Sequence, residues 1–127
     1  MNKTPNNMKN TNIISAMKNA LEGIWYAIKN ERNIRIQMVI AIIAIIACIY
    51  FKVTKLEAIS VIFSITLVLL GEMCNTAIEN TIDLYTNEIH KKAKIAKDVA
   101  AGAVLIPSIN AVIVAIIVFL DKILELF

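Results

Sequence analysis

The sequence is short of the residues that build several common functional sites. It has three glycines, two cysteines and one histidine among 127 residues. Neither a GxxxxGK[ST] loop nor a kinase-type glycine-rich loop is present, so bound phosphates would have to be held by side chains or a metal ion. Two cysteines without metal-ligand spacing provide neither a disulfide framework nor a zinc site. We expect Cys48 and Cys74 to pack as reduced apolar side chains.

Charged residues are absent from three long stretches, which are Met38–Phe51, Ala58–Gly71 and Val99–Leu120. The third has 22 residues, and crossing a bilayer takes about 20 apolar residues. A soluble helical bundle would instead show polar residues at every third or fourth position. The mean hydropathy of +0.69 agrees with membrane residence. We therefore predict an all-α membrane protein whose spans cover 34–51, 56–85 and 98–120.

The segment before the first span has a different composition. Residues 1–12 are polar, and we expect a disordered tail and no cleavable signal peptide. Apolar residues then recur at helical spacing through 13–30, with lysines on the other side. This pattern predicts an amphipathic helix that lies in the lipid headgroup layer. With no repeat and no linker, 1–127 reads as a single domain.

Lysine and arginine are concentrated before the first span and between the second and third spans. Under the positive-inside rule, this places the N-terminus and the second loop in the cytoplasm. The short first loop and the C-terminus then lie outside. Because these cations flank membrane spans, we do not expect nucleic-acid binding.

The stretch LLGEMCNTAIENTID, residues 69–83, carries polar groups into the second span. At about 100° per helical residue, Glu72, Asn75, Glu79 and Asp83 all lie on one face. A charge in the hydrocarbon core costs about 3 kcal/mol or more, so this face should avoid lipid. Three uses remain open at this point: interhelical hydrogen bonding, an ion or proton path, and a metal site.

Other charged residues should meet this face at the cytoplasmic side. Glu31 precedes the first span, and Lys97 and Asp98 begin the third. Mg²⁺ is commonly held by one or two carboxylates together with a substrate's phosphates. The combination of acids, an amide and a lysine therefore favours a metal–nucleotide site, where phosphoryl transfer depends mainly on positioning and charge neutralisation.

Two motifs, GEMCNTAIENTIDL and AKIAKDVAAGAVL, resemble the signature of the bacterial integral-membrane diacylglycerol kinase family. The short chain and ENTIDL are most similar to its Gram-positive-type branch, mainly undecaprenol kinases. The resemblance implies a homotrimer in the bacterial plasma membrane, with three spans and a surface helix per subunit. It also implies cytoplasmic active sites, shared between neighbouring subunits, that move the γ-phosphoryl group of Mg-ATP to a lipid alcohol. We expect a neighbouring subunit to be needed to shield the acidic face, because three spans are few.

The resemblance also implies roles for individual residues. Glu72 matches the proton acceptor, with Asn75 beside it, and Glu31 and Glu79 match the metal-binding glutamates. Contacts to ATP carry over to Glu31, Glu79, Glu88, His90, Lys97 and Asp98, and Asp83 matches a further functional acid. Glu72 lies about 10 Å deeper in the span than Glu79, where it is better placed to meet a lipid hydroxyl. Glu79 is the alternative base.

Two positions depart from the Gram-negative branch. Asn12 stands where that branch has a basic residue, and Gln37 stands where it has an acid. Undecaprenol is therefore the predicted acceptor and diacylglycerol the alternative. The rival classes of function are a small ion or proton channel and a non-catalytic membrane scaffold.

Overall fold

A computed structural model describes residues 12–85, 87–88 and 90–127. Within these residues the regular structure consists of four helices: α1, Ile13–Asn30; α2, Arg32–Tyr50; α3, Lys55–Tyr85; and α4, Lys91–Leu124. Helices α2, α3 and α4 are each long and apolar enough to cross a membrane. The prediction of an all-helical chain with three potential spans is thus confirmed. Residues 1–11 of the predicted tail lie outside the described residues.

Helix α1 has identifiable signals at both ends. The Asn12 side chain accepts a hydrogen bond from the Ser15 amide at 2.7 Å, which caps the first turn. The helix ends where Glu31 adopts an extended conformation. The Arg35 guanidinium then donates to the carbonyls of Ile28 and Lys29, each at 2.9 Å. These contacts satisfy carbonyl groups that the helix end leaves without partners, and so brace the corner between α1 and α2.

Helix α4 begins at Lys91, seven residues before the predicted third span. The predicted span begins at Asp98, so the helix extends beyond the predicted span on this side. Hydropathy marks only the apolar part of a helix, whereas a lysine-rich turn remains helical beyond the hydrocarbon layer. The longer helix places Lys94, Lys97 and Asp98 on a rigid element rather than in a loop.

Helices α3 and α4 pack antiparallel and make the most extensive interface in the described chain. Three polar contacts along the interface show which residues of the two helices face each other. They join Asp83 to Lys97 at 2.7 Å, Ser64 to Asn110 at 3.4 Å and Glu57 to Lys122 at 2.6 Å. Between the first two of these contacts, Gly71 lies directly against the backbone of Ala103. The two helices therefore stay in contact along most of their length.

The apolar core lies at the end of the bundle that is distant from the acidic stretch. Val61, Val118 and Phe119 are buried there, and Phe51 packs against them with its ring centroid 6.2 Å from that of Phe119. Val61 lies about 16 Å along α3 from Glu72. Apolar packing therefore holds one end of the three-helix bundle, and polar side chains occupy the other half.

Candidate active site

The acidic stretch of α3 places polar side chains inside the bundle. Glu72 is 2% exposed, and Asn75 and Thr76 are also buried. Glu79 is half-buried one turn further on, and Asp83 is exposed. Burial therefore decreases from Glu72 towards the end of α3. The face predicted from helical spacing is therefore buried in the bundle at Glu72 and Asn75, and it opens towards Asp83.

Two amide side chains bind the buried and half-buried carboxylates. Gln37 of α2 donates from Nε2 to Glu72 Oε2 at 3.2 Å, and Asn75 donates from Nδ2 to Glu79 Oε1 at 3.3 Å. The amide oxygens of the same two side chains, Gln37 Oε1 and Asn75 Oδ1, are buried without a hydrogen-bond partner among the described residues. The Thr76 hydroxyl is in the same situation. A buried polar atom without a partner costs about 1–3 kcal/mol, so these oxygens suit a hydroxyl donor or a cation.

A single chain is enough to bury Glu72. We had expected three spans to be too few to shield the acidic face without a neighbouring subunit, and for Glu72 that reasoning is wrong. The side chain is covered because α2 supplies Gln37 and because α3 and α4 approach closely one residue before it. Only the part of the face nearer the end of α3 is left open.

A cleft of about 410 Å³ lies where α3 ends and α4 begins. Its lining brings together four residues predicted to contact a nucleotide, Glu88, His90, Lys97 and Asp98, with Asp83, the further functional acid. Lys97 is held by Asp83, and Asp98 accepts from Lys94 at 2.6 Å. His90 lies 3.6 Å from Glu88, and both side chains are mostly exposed. The cleft is thus open to solvent and carries two lysines, each paired with an aspartate.

The predicted metal ligands are only partly assembled. Glu31 lies at the corner between α1 and α2, Glu79 lies on α3, and neither of them lines the cleft. In the described parts of the chain, no three His, Cys, Asp or Glu side chains come together as metal ligands. Mg²⁺ needs only one or two carboxylates when phosphates complete its shell. The Glu79 carboxylate and the unpaired amide oxygen of Asn75 are hard oxygen donors of the required kind.

Sequence reasoning did not assign a site role to Gln37 or Thr76. A signal for Gln37 was available, because it is a polar residue in an otherwise apolar stretch of α2, and polar residues inside a membrane usually bind partners. Thr76 looked like an ordinary helical threonine. Other helical hydroxyls, such as those of Thr66 and Thr81, donate to the carbonyl four residues earlier, and the Thr76 hydroxyl does not.

The similarity of this chain to known proteins extends over all of the candidate site residues. The family model for prokaryotic diacylglycerol kinase matches residues 18–119, which include each candidate residue named above. A diacylglycerol kinase of Synechocystis is 40% identical over 119 residues, which is 91% of this chain and 66% of that protein. The undecaprenol kinase of Bacillus subtilis is 35% identical, covering 79% and 81% of the two chains. The diacylglycerol kinase of Escherichia coli K12 is 34% identical, covering 81% and 84%.

Proposed function

The chain belongs to the prokaryotic diacylglycerol kinase family, a family of lipid kinases, and we propose that it transfers the γ-phosphoryl group of Mg-ATP to undecaprenol. The observation that carries the proposal is the buried carboxylate of Glu72, which is bound by Gln37 and lies on the same helix face as Glu79. A carboxylate at this depth can meet the hydroxyl group of a lipid. The cleft lies nearer the end of α3, where Asp83 is about 16 Å along the helix from Glu72, and it can receive a nucleotide from water.

The relatives do not decide the acceptor, because the 40% and 35% identical proteins are named for different lipids. Support for undecaprenol comes from ENTIDL and from Gln37. A neutral amide beside Glu72 differs from the acid of the Gram-negative branch, and it presents a donor to the carboxylate. Diacylglycerol is the second candidate, favoured by the Synechocystis relative.

In the proposed reaction, ATP occupies the cleft between the ends of α3 and α4. Lys97, oriented by its 2.7 Å contact with Asp83, neutralises phosphate charge. Glu88, His90 and Asp98 contact the nucleotide. Glu31 and Glu79 would hold Mg²⁺, which supplies further neutralisation of the phosphate oxygens.

Glu72 acts as the general base. Its carboxylate takes the proton of the lipid hydroxyl as the hydroxyl oxygen forms a bond to the γ-phosphorus. The bond between that phosphorus and the β,γ-bridging oxygen breaks, and ADP leaves with the electron pair. Gln37 and Asn75 orient the two glutamates during this step. The products are ADP, the phosphorylated lipid and the proton on Glu72.

The assembly and orientation are part of the proposal. The three spans expose many large apolar side chains, which suits contact with lipid and with other copies of the chain in a homotrimer. On α1, Ile13, Leu21 and Trp25 are more than half exposed, as expected for a helix in the headgroup layer. The lysine distribution supports a cytoplasmic N-terminus and active site in a bacterial plasma membrane.

A phosphotransfer assay with separate acceptors tests the proposal. Purified protein in mixed micelles would receive Mg-ATP labelled on the γ-phosphate, with undecaprenol or diacylglycerol as acceptor. Faster labelling of undecaprenol supports the proposed function. Faster labelling of diacylglycerol replaces the acceptor and retains the site. Label on neither lipid with folded protein contradicts the kinase proposal, and ion flux without ATP would then support the channel alternative.

A further inference from the structure

Helices α3 and α4 meet in a backbone contact at Gly71. A Cβ atom built on Gly71 would lie 2.6 Å from the Ala103 carbonyl oxygen and 3.4 Å from the Val104 Cα atom. Real Cβ atoms essentially never come within 3.0 Å of a heavy atom on a neighbouring part of the structure. At this point, therefore, only glycine fits without a shift of α4. Gly23 and Gly102 differ, because a Cβ atom on either meets no heavy atom within 4 Å.

The carbonyl that touches Gly71 is an unusual one. Pro107 lies four residues after Ala103, inside α4, and the helix continues through it. Proline has no N–H to donate to this carbonyl, and its ring pushes the carbonyl away from its normal place in the helix. A displaced carbonyl needs room on the neighbouring helix. Gly71 provides that room, together with Cα–H groups that act as weak donors at helix contacts.

The contact lies beside the proposed active site. Gly71 immediately precedes Glu72, and Ala103 lies about 9 Å along α4 from Lys97. The Asp83–Lys97 ion pair closes the other end of the same segment. The segment of α3 that carries Glu72 and Glu79 is therefore held against α4 by one backbone contact and one ion pair.

We propose that Gly71 and Pro107 are paired positioning residues that seat α4 on α3 and so set the spacing between the Glu72–Glu79 face and Lys97. The proposal rests on the proposed phosphotransfer function. Pro107 displaces the Ala103 carbonyl, and Gly71 leaves space for it. Neither residue touches the reacting atoms.

The first test is Gly71→Ala, with Gly102→Ala as the matched control. The added methyl group forces α4 away from α3, and a displacement of about 1 Å near reacting groups can cost on the order of a hundredfold in rate. We expect kcat per folded molecule to fall by about tenfold to a hundredfold in Gly71→Ala. Gly102→Ala should stay within about twofold of the wild-type kcat. Equal kcat for both variants and the wild type would overturn the proposal.

The second test asks whether the two residues act as a pair. Pro107→Ala restores an N–H that draws the Ala103 carbonyl back into α4. Gly71→Ala should then lower kcat less in the Pro107→Ala background than in the wild type, because residues in contact couple energetically. We expect the two fold-changes in kcat to differ by at least about threefold. Strictly additive effects on kcat would refute the pairing. If Gly71→Ala does not fold, the carbonyl ¹³C shift of Ala103 in wild type and Pro107→Ala decides the matter, because an unchanged shift contradicts the displaced carbonyl.

A comparison of Tm among wild type, Gly71→Ala, Pro107→Ala and the double variant separates the helix contact from the reaction. A Tm loss in Gly71→Ala that Pro107→Ala reduces demonstrates the contact without reference to activity. Coupling in Tm but not in kcat overturns the positioning role. A wild-type protein that labels no lipid would refute the proposed function, whereas the contact itself is decided by Tm.

Discussion

Replacing Gln37 by leucine removes the donor that the structure gives to Glu72. The change preserves side-chain bulk and deletes one hydrogen bond, whose N–O distance is 3.2 Å. A hydrogen bond to a charged group contributes about 1.5–3 kcal/mol. The bond is already present in the resting protein, so its effect on kcat comes from orienting the Glu72 carboxylate. We expect loss of that orientation to lower kcat by about tenfold to a hundredfold.

The assay is phosphotransfer to the lipid acceptor at saturating Mg-ATP, with kcat and the KM for Mg-ATP determined separately. Gln37 does not line the nucleotide cleft, so we expect kcat to fall and the KM for Mg-ATP to stay unchanged. Asn110→Leu is the matched control, since it also removes an amide from a span but contacts Ser64 rather than Glu72. If Gln37→Leu keeps the wild-type kcat, the positioning of Glu72 by Gln37 is refuted.

Three further predictions follow from other contacts. Asp83→Asn frees Lys97 and should raise the KM for Mg-ATP severalfold, while the midpoint of unfolding stays close to that of the wild type because the ion pair is half-exposed. Lys122→Met breaks the pair with Glu57 and should lower the midpoint of chemical unfolding, with kcat unchanged because this pair lies far from the cleft. Glu79→Gln should raise the Mg²⁺ concentration needed for half-maximal activity, and an unchanged Mg²⁺ dependence would contradict its role as a ligand.

The sequence was sufficient for the features that depend on local composition. Uncharged runs predicted three spans, and helical spacing predicted that Glu72, Asn75 and Glu79 share a face. These properties follow from the period of the helix and from the cost of charge in hydrocarbon. They need no knowledge of how the helices pack.

Features that depend on helix–helix packing could not be predicted. The Gln37–Glu72 bond joins residues 35 positions apart, and it exists only because α2 and α3 present these faces to each other. The contact of Gly71 with Ala103 likewise depends on the relative rotation and spacing of two helices. Charge-free length marks only the apolar part of α4, so it could not predict that the helix itself begins at Lys91.

The most direct test of the account compares wild type with Glu72→Gln for transfer of labelled γ-phosphate from Mg-ATP to undecaprenol. Nucleotide binding would be measured on both proteins, so that loss of activity can be separated from loss of the nucleotide cleft. We predict labelled lipid from the wild type and none from Glu72→Gln, with equal nucleotide affinity. Transfer by Glu72→Gln at the wild-type rate would contradict the assignment of the buried carboxylate as the base.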